Sequence, residues 1–250
     1  MDDLQLLRYS RHLLLPQWDA ETQQQLAASR VLLVGAGGLG CAVAPYLVAA
    51  GLGVVHIVDD DAVDLSNLQR QILYGSASIG QAKAEAARQR LLDLNPEVRV
   101  VPHVCRLDAD WLSGMDVDLV LDGSDNFETR HSVNAFCVRR GIGLVSGAAL
   151  GWQGQLAVFD PKQPETGCYA CLYHPGPDDE GGQCSHSGVI GPLVGIIGSM
   201  MALEALKWLG KIEQSAVGKL IVYDAQHSSF RQVRLRQDPD CPVCANRQLA

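Results

Sequence analysis

The feature that most constrains this chain is a glycine-rich turn between a strand-like segment and a helix-like one. Arg30 to Val34 is an apolar run that favours a β-strand, and the periodic segment Gly38 to Ala50 favours an α-helix. Glycines at G-x-G-x-x-G spacing let the backbone turn tightly and approach phosphates, and a helix N-terminus offers free N–H groups. The pattern predicts a nucleotide site, against the alternative of a glycine turn without a ligand. Its candidate residues are Gly35, Gly37, Gly38 and Gly40.

Strand-like and helix-like segments alternate along the rest of the chain. This alternation predicts an α/β fold, with a Rossmann-like, mostly parallel sheet and helices on both of its faces. After Gly154 the pattern changes, and it indicates antiparallel strands added to one side of the sheet. The predicted strands after the first are Val54–Val58, Val98–Pro102, Leu119–Leu121, Leu144–Ser146, Gln155–Phe159, Lys219–Tyr223 and Phe230–Arg236, and the predicted helices are Ile79–Leu94, Thr129–Arg140 and Leu193–Leu209.

Composition narrows the class of protein. The 250 residues carry a formal net charge of −8 and contain no block rich in Lys and Arg. A nucleic-acid partner and an anionic membrane surface are therefore not expected, because both need a cationic patch. The apolar stretch Gly188 to Leu203 is interrupted by Glu204 and Lys207 before it is long enough to span a bilayer, so a buried helix is predicted. Met1 to Ser10 lacks a signal-peptide core, and a cytoplasmic protein is expected.

Polar residues are concentrated after the second predicted strand. Asp59 stands about twenty residues beyond the glycine turn, where an acidic side chain commonly holds ribose hydroxyls. Asn67, Arg70 and Gln71 are spaced to share one face of a helical turn, and Lys83 follows. The turn and Asp59 fit an NAD site as well as an ATP site, but attack at the α-phosphorus of ATP needs cations and amides around the phosphates. The plainer interpretation is a polar helix face with ordinary surface charges.

The chain has eight cysteines, and four of them form two C-x-x-C pairs. Each pair is a tight knuckle that can place two thiolates on one tetrahedral ion, so a structural zinc site is favoured over a redox pair. The interval between the pairs is longer than in a zinc ribbon, so the metal is expected to tie the C-terminal segment back onto the domain. Its ligands are Cys168, Cys171, Cys241 and Cys244. Cys41, Cys105 and Cys137 are expected to be small buried hydrophobes.

Over nearly its whole length the sequence resembles the ThiF/MoeB/HesA adenylyltransferases, relatives of the ubiquitin-activating enzymes. The resemblance implies ATP-dependent adenylation of the C-terminal glycine of a small ubiquitin-like sulfur-carrier protein, by a homodimer. It also implies one domain over residues 1–250, with an N-terminal helical arm (1–29), a nucleotide-binding core (30–150) and a carrier-binding and zinc-binding part (151–250). It rests on Arg8–Arg11, Gly35–Gly40, Asp59, Ser66–Gln71, Lys83, Asp122–Asn126, Arg130, Gly188–Pro192 and both C-x-x-C pairs.

Site roles follow from this resemblance. Asp59 would hold the ribose, Asp125 would bind Mg²⁺, and Arg11 would reach the ATP site of the other subunit. Without the family, Asp125 is a good candidate for a helix cap and Arg11 is an ordinary surface arginine. The remaining residues expected around ATP, most of them at its triphosphate, are Asp61, Ser66, Asn67, Arg70, Gln71, Lys83 and Asn126.

Cys184 lies in the loop His174 to Ser187, which is rich in Gly, Pro and acidic residues and is expected to be mobile. The resemblance implies that this thiol bonds covalently to the activated carrier during sulfur transfer, and the alternative is an unused loop thiol. Because the sequence ends at Ala250, the sulfur donor is expected to be a separate cysteine desulfurase or rhodanese. Adenylation of a small-molecule carboxylate, as in tRNA-modifying dehydratases, remains an alternative function. A nicotinamide-dependent oxidoreductase and a non-catalytic zinc-stabilised module are weaker ones.

Overall fold

The computed structural model describes residues 1–175, 188–213 and 216–245. Its centre is one eight-stranded sheet with the strand order β3-β2-β1-β4-β5-β6-β7-β8. The first five strands in that order pair in parallel, and β5 to β8 form an antiparallel meander at one end. The strands are β1 (Arg30–Val34), β2 (Val54–Val58), β3 (Arg99–His103), β4 (Leu119–Asp122), β5 (Gly143–Leu150), β6 (Gln153–Phe159), β7 (Lys219–Asp224) and β8 (Ser229–Arg234).

Helices cover both faces of the sheet, as predicted. Because side chains alternate along a strand, Val31 and Leu33 of β1 belong to the hydrophobic cluster on one face, and Leu32 and Val34 to the cluster on the other. Four buried residues in a row mark β1 as a strand covered on both sides. The helices are α1 (Asp3–Arg8), α2 (Ser10–Leu13), α3 (Ala20–Ala28), α4 (Gly38–Ala49), α5 (Lys83–Leu94), α6 (Ala109–Ser113), α7 (Phe127–Arg140), α8 (Tyr169–Leu172) and α9 (Gly191–Leu209).

The apolar helix α9 packs inside the protein. By length and composition it could cross a membrane, but half of its most apolar window is buried against the rest of the chain. It contacts α4 and lies on β5 and β6, with Ile197 and Met201 fully buried. The helix begins at Gly191, two residues before the predicted start, because Pro192 is favourable in the first turn of a helix.

Several predicted boundaries need correction. The helix predicted from Ile79 begins at Lys83, because a turn with Gly80 at φ 85° precedes it. The strand predicted at Leu144–Ser146 extends to Leu150, where it pairs with β6. The last strand ends at Arg234 rather than at Arg236. Helix α6 has no counterpart among the predicted segments, since five residues are too few to show a helical period.

The N-terminal arm is attached to the core by a buried amide. The Asn95 side chain donates to the Tyr9 hydroxyl at 2.9 Å and to the Val48 carbonyl at 3.0 Å. Both Asn95 and Tyr9 are buried. The arm is therefore joined to the loop after α5 and to the end of α4 by one fully satisfied polar group.

Replacing Asn95 with alanine should lower the free energy of unfolding by about 2 kcal/mol, because it leaves the buried Tyr9 hydroxyl without its donor and removes one of the donors to the Val48 carbonyl. Urea denaturation measures this loss. The variant Gln24→Ala, on the exposed side of α3, is the control and should be neutral. Equal midpoints for Asn95→Ala and the parent protein would show that the arm is not held in this way.

Candidate nucleotide site and cysteine cluster

In the glycine turn between β1 and α4, the backbone passes very close to itself. A Cβ atom on Gly40 would lie 2.0 Å from the Gly35 carbonyl oxygen. This distance is too short for any residue other than glycine at position 40. Gly35 has φ +89°, a conformation that residues with a Cβ rarely adopt. Helix α4 begins at Gly38, so its free N–H groups lie at the turn. The turn therefore has the backbone shape and the dipole of an anion site.

Asp59 fixes the turn from the end of β2. Its carboxylate accepts hydrogen bonds from the Ala36 amide at 2.7 Å and from the Asp61 amide at 2.9 Å. Burial raises the pKa of this carboxyl, and the charge of Lys83 acts in the opposite direction. Each carboxylate oxygen has a second lone pair, so the group can still accept a bond from a ligand hydroxyl.

A cleft of about 820 Å³ opens at the carboxyl ends of β1, β2 and β4. The strand order reverses at this place, because β1 lies between β2 and β4, and open α/β sheets bind ligands at such a reversal. Of the predicted ATP-binding residues, Gly40 does not line the cleft, since it is packed under the turn. Those that do are Gly35, Gly37, Gly38, Asp59, Asp61, Ser66, Asn67, Arg70, Gln71, Lys83, Asp125 and Asn126.

The predicted turn that carries Asn67, Arg70 and Gln71 is confirmed. The amides of Arg70 and Gln71 both donate to the Asn67 carbonyl at 3.0 Å. Gln71 is 3% exposed, and its side-chain oxygen has no partner among the described residues. Lys83 is 6% exposed and its ammonium lies 2.6 Å from Asp61. A buried amide and a buried ammonium thus line the same cleft, where low dielectric strengthens their action on an anion.

Asp125 follows β4 and is exposed in the cleft. The alternative interpretation as a helix cap is wrong, because Asn126 caps α7 by accepting a bond from the Thr129 amide at 2.8 Å. Within the described residues no hydrogen bond or ion pair to the Asp125 carboxylate occurs. The group is therefore available to a cation, and oxygen ligands of this kind suit Mg²⁺.

Arg130 holds the loop that carries Asp125. Its guanidinium donates to the carbonyls of Ser124 and Gly147, the latter at 2.8 Å, and to the Ser146 hydroxyl at 3.2 Å. The residue is buried and lines the cleft. In the sequence, Arg130 stands out only as part of the family motif. Arg130 lies about one and a half helical turns after Asp125 along the chain. This spacing does not predict that its side chain binds the loop that precedes α7.

A second, smaller cavity of about 300 Å³, the side cavity, adjoins the cleft. The two share Asp125, Asn126, Arg130, Ala148 and Ala149. Sequence reasoning missed the side cavity, because its wall comes from α7, β5, β6, α8 and β7. Its remaining wall is largely apolar and includes Phe127, Leu150, Ala157, Tyr169, Leu172, Tyr173 and Leu220.

The two C-x-x-C pairs meet as predicted and form the cysteine cluster (Cys168, Cys171, Cys241 and Cys244). All four sulfur atoms lie within 4.8 Å of one another. The sulfur atoms of Cys168 and Cys241 are 3.7 Å apart, and those of Cys171 and Cys244 are 3.4 Å apart. Four thiolates on one zinc ion, with Zn–S bonds of about 2.3 Å, lie about 3.8 Å apart, so the residues fit a tetrahedral zinc site.

Two amide groups donate to sulfur atoms of the cysteine cluster, whereas a hydrogen bond with Cys171 and burial raise the pKa of the Cys168 thiol. The Asn134 amide donates to the Cys168 sulfur at 3.5 Å, and the Asp238 backbone amide donates to the Cys171 sulfur at 3.4 Å. A hydrogen bond from Cys168 lowers the pKa of the Cys171 thiol. Donors of this kind hold metal-bound sulfur atoms in place.

The other cysteines differ from one another. Cys41 and Cys137 are buried, as predicted. Cys105 is not a core residue, because β3 ends at His103 and the chain leaves the sheet there; its half-buried thiol lines the cleft. Cys184 and most of the loop predicted to be mobile lie outside the described residues.

Arg11 is exposed on α2 and does not line the cleft of its own chain.

A model of the ThiF family matches residues 9–243 of this chain. The chain belongs to the ThiF family. A molybdopterin-synthase adenylyltransferase of Salmonella typhimurium is 42% identical to it over 98% of both chains. A sulfur carrier protein ThiS adenylyltransferase of Escherichia coli is also 42% identical, over 98% of this chain and 97% of the relative.

Solved structures show the same fold. A crystal structure of Escherichia coli MccB with ATP superposes with a TM-score of 0.84 at 24% identity, covering 95% of this chain and 73% of the other. The two chains therefore share a fold. At this identity the likeness concerns the fold only.

The cysteine cluster should bind about one zinc ion per chain, because four closely placed thiolates complete its coordination. Elemental analysis of the purified protein measures the zinc content. Cys244→Ser should reduce that content and lower the unfolding midpoint, whereas Cys105→Ser, outside the cluster, should leave the zinc content unchanged. A fully zinc-loaded Cys244→Ser protein would contradict the assignment.

Proposed function

We propose that this ThiF-family chain catalyses ATP-dependent adenylation of the C-terminal glycine of a small ubiquitin-like sulfur-carrier protein, giving acyl-AMP and pyrophosphate. One observation carries the proposal: a cleft with a turn suited to an anion and a buried ammonium adjoins a second cavity, with Asp125 in the wall of both. The cleft would hold the nucleotide, and the side cavity would receive the carrier's extended tail. The names of the two enzymatic relatives support this choice of substrate.

Each side chain in the cleft would have a separate task. The Asp59 carboxylate would accept the ribose hydroxyls, since its oxygens keep free lone pairs. The turn and the N-terminus of α4 would bind phosphate oxygens. Asn67, Arg70, Gln71 and Lys83 would line the triphosphate, and the charges of Arg70 and Lys83 would neutralise pyrophosphate as it departs. Asp61, Ser66 and Asn126 would complete the nucleotide site, Asp61 through its ion pair with Lys83.

The reaction would need little covalent help from the protein. The carrier's terminal carboxylate is ionised at neutral pH, so it attacks the α-phosphorus without a general base. The bond from that phosphorus to the bridging oxygen breaks, and pyrophosphate leaves with the electron pair. The protein would act by holding the carboxylate in line and by fixing cations beforehand. Mg²⁺, held by Asp125, would supply charge neutralisation at the phosphate oxygens when bound.

The remaining partners are also proposals. Arg11 would complete the site of a second copy of the chain, since it is exposed and lies outside its own cleft. Zinc in the cysteine cluster would be structural, because four thiolates leave no open position. A separate cysteine desulfurase or rhodanese would supply sulfur, and Cys184 would bond to the activated carrier. The protein would act in the cytoplasm, without nucleic acid or membrane.

Exchange of labelled pyrophosphate into ATP should appear only when a carrier ending in Gly-Gly is present, and not with a carrier that lacks these glycines. Lys83→Met should lower the exchange rate by about 100-fold, because it removes a buried cation from the phosphates. The exposed Lys162→Met is the matched control and should exchange normally. Absence of exchange with a panel of such carriers would overturn the proposed function.

Arg11 can be tested by mixing two inactive chains. In a dimer of one Arg11→Ala chain and one Asp125→Asn chain, one site has both residues intact if Arg11 acts across the interface. Co-expressed chains that pair at random should therefore recover about a quarter of the parental exchange rate. If the mixture stays as inactive as each variant alone, Arg11 does not act in the partner's site.

A further inference from the structure

The cysteine cluster and the side cavity have one residue in common. Tyr169 lies between the two cysteines of the first C-x-x-C pair, and its ring forms part of the cavity wall. The side chain is 3% exposed. Its ring centre lies 5.4 Å from that of His131, 5.0 Å from that of Tyr173 and 6.3 Å from that of Phe159. The ring is thus packed among three other rings, while its backbone belongs to the C-x-x-C turn.

Asn134 of α7 contacts the same turn through both ends of its amide. The nitrogen donates to the Cys168 sulfur at 3.5 Å, and the oxygen accepts a bond from the Tyr169 amide at 3.0 Å. The side chain is 1% exposed. A buried amide with both ends satisfied holds its partners in one arrangement, since losing either bond leaves a polar group unpaired.

One helical turn earlier, on the same face of α7, Arg130 connects this arrangement to the nucleotide cleft. Its guanidinium carbon lies 6.0 Å from the centre of the Tyr169 ring. The same guanidinium donates to the carbonyl of Ser124, which lines the cleft, and to the carbonyl of Gly147, which lines the side cavity. Continuous contacts thus lead from a cysteine sulfur through Asn134, Tyr169 and Arg130 to the loop that carries Asp125.

We propose that Asn134 and Tyr169 are positioning residues that couple metal binding at the cysteine cluster to the shape of the side cavity. The inference rests on the proposed function, in which that cavity receives the carrier tail. Without metal, the Cys168 sulfur is no longer fixed by a bond to the ion, so its contact with the Asn134 amide is no longer held in one geometry. The C-x-x-C turn then loses the contact that orients Tyr169. Coupling between two binding sites is reciprocal, so a carrier in the cavity must also strengthen metal binding.

This reciprocity can be measured on the parent protein without any substitution. Zinc-loaded, full-length protein is mixed with a chromogenic zinc chelator in excess MgCl₂ and ATP, with or without a carrier that supports exchange. We expect the carrier to slow zinc release severalfold. A carrier lacking its terminal glycines should have no such effect, because its tail does not fill the cavity.

Asn134→Leu should speed zinc release by about tenfold, because it removes a donor that orients a ligand sulfur. In this variant the carrier should no longer slow the release. The control is Arg139→Ala, on the exposed end of the same helix, which should behave as the parent protein.

Tyr169→Leu should raise the KM for the carrier by about tenfold through the loss of aromatic contacts, with the dissociation constant for ATP unchanged. Tyr169→Phe keeps the ring and should restore the KM. A merely structural role would instead lower the zinc content and weaken ATP binding together.

The outcomes separate the inference from the proposed function. If the parent protein adenylates the carrier but releases zinc at one rate with and without it, the coupling is overturned and the proposed function stands. An unchanged KM in Tyr169→Leu also overturns the coupling. If no carrier supports exchange, the proposed function falls, and the inference falls with it.

Discussion

Parallel pairing of β1 with both β2 and β4 is the constraint on which the rest of the structure depends. Because all three strands run in the same direction, their carboxyl ends meet at one edge of the sheet. The glycine turn, Asp59 and the loop of Asp125 each follow one of these ends. A one-residue shift in the pairing of β1 would exchange its buried side chains between the two cores and displace these three groups relative to one another. The same pairing therefore stabilises the fold and assembles the cleft.

The cleft contains polar groups that are costly to bury without a ligand. Lys83 is buried beside the exposed Asp61, and the Gln71 side-chain oxygen has no partner in the described part of the chain. Burying an ammonium and an unpaired amide oxygen lowers the free energy of unfolding. A phosphate-rich ligand would offset the part of this cost that comes from the ammonium. The turn itself contributes backbone amides, which need no reorganisation when an anion arrives. This arrangement suits a reaction whose barrier depends on positioning and charge.

Helix α7 extends from the cleft to the cysteine cluster. Its first turn is capped by Asn126 beside the cleft, and its buried face carries Arg130 and then Asn134, which contacts the cysteine cluster. The cluster brings Cys241 and Cys244 from the end of the chain onto a C-x-x-C turn that borders the side cavity. The C-terminal segment is thus held against the part of the protein that would receive the carrier.

The sequence alone determined the local elements and most of the candidate site. Its apolar runs and the glycine turn predicted β1, β2 and α4 nearly to the residue, because most residues of these segments are buried and apolar. The C-x-x-C spacing likewise identified the four cysteines, since metal geometry restricts it. Short or exposed elements such as α6 and the start of α5 were missed or misplaced, because tertiary contacts and turns decide them.

Only the tertiary structure decided what depends on distant segments. Asn126 rather than Asp125 caps α7, a choice between neighbouring residues that the backbone conformation makes. Cys105 lines the cleft because β3 ends two residues before it. The side cavity and the bridge from Asn134 to Tyr169 exist because α7, β5 and α8 pack together. No local pattern in the sequence encodes such contacts, since each depends on the packing of segments far apart along the chain.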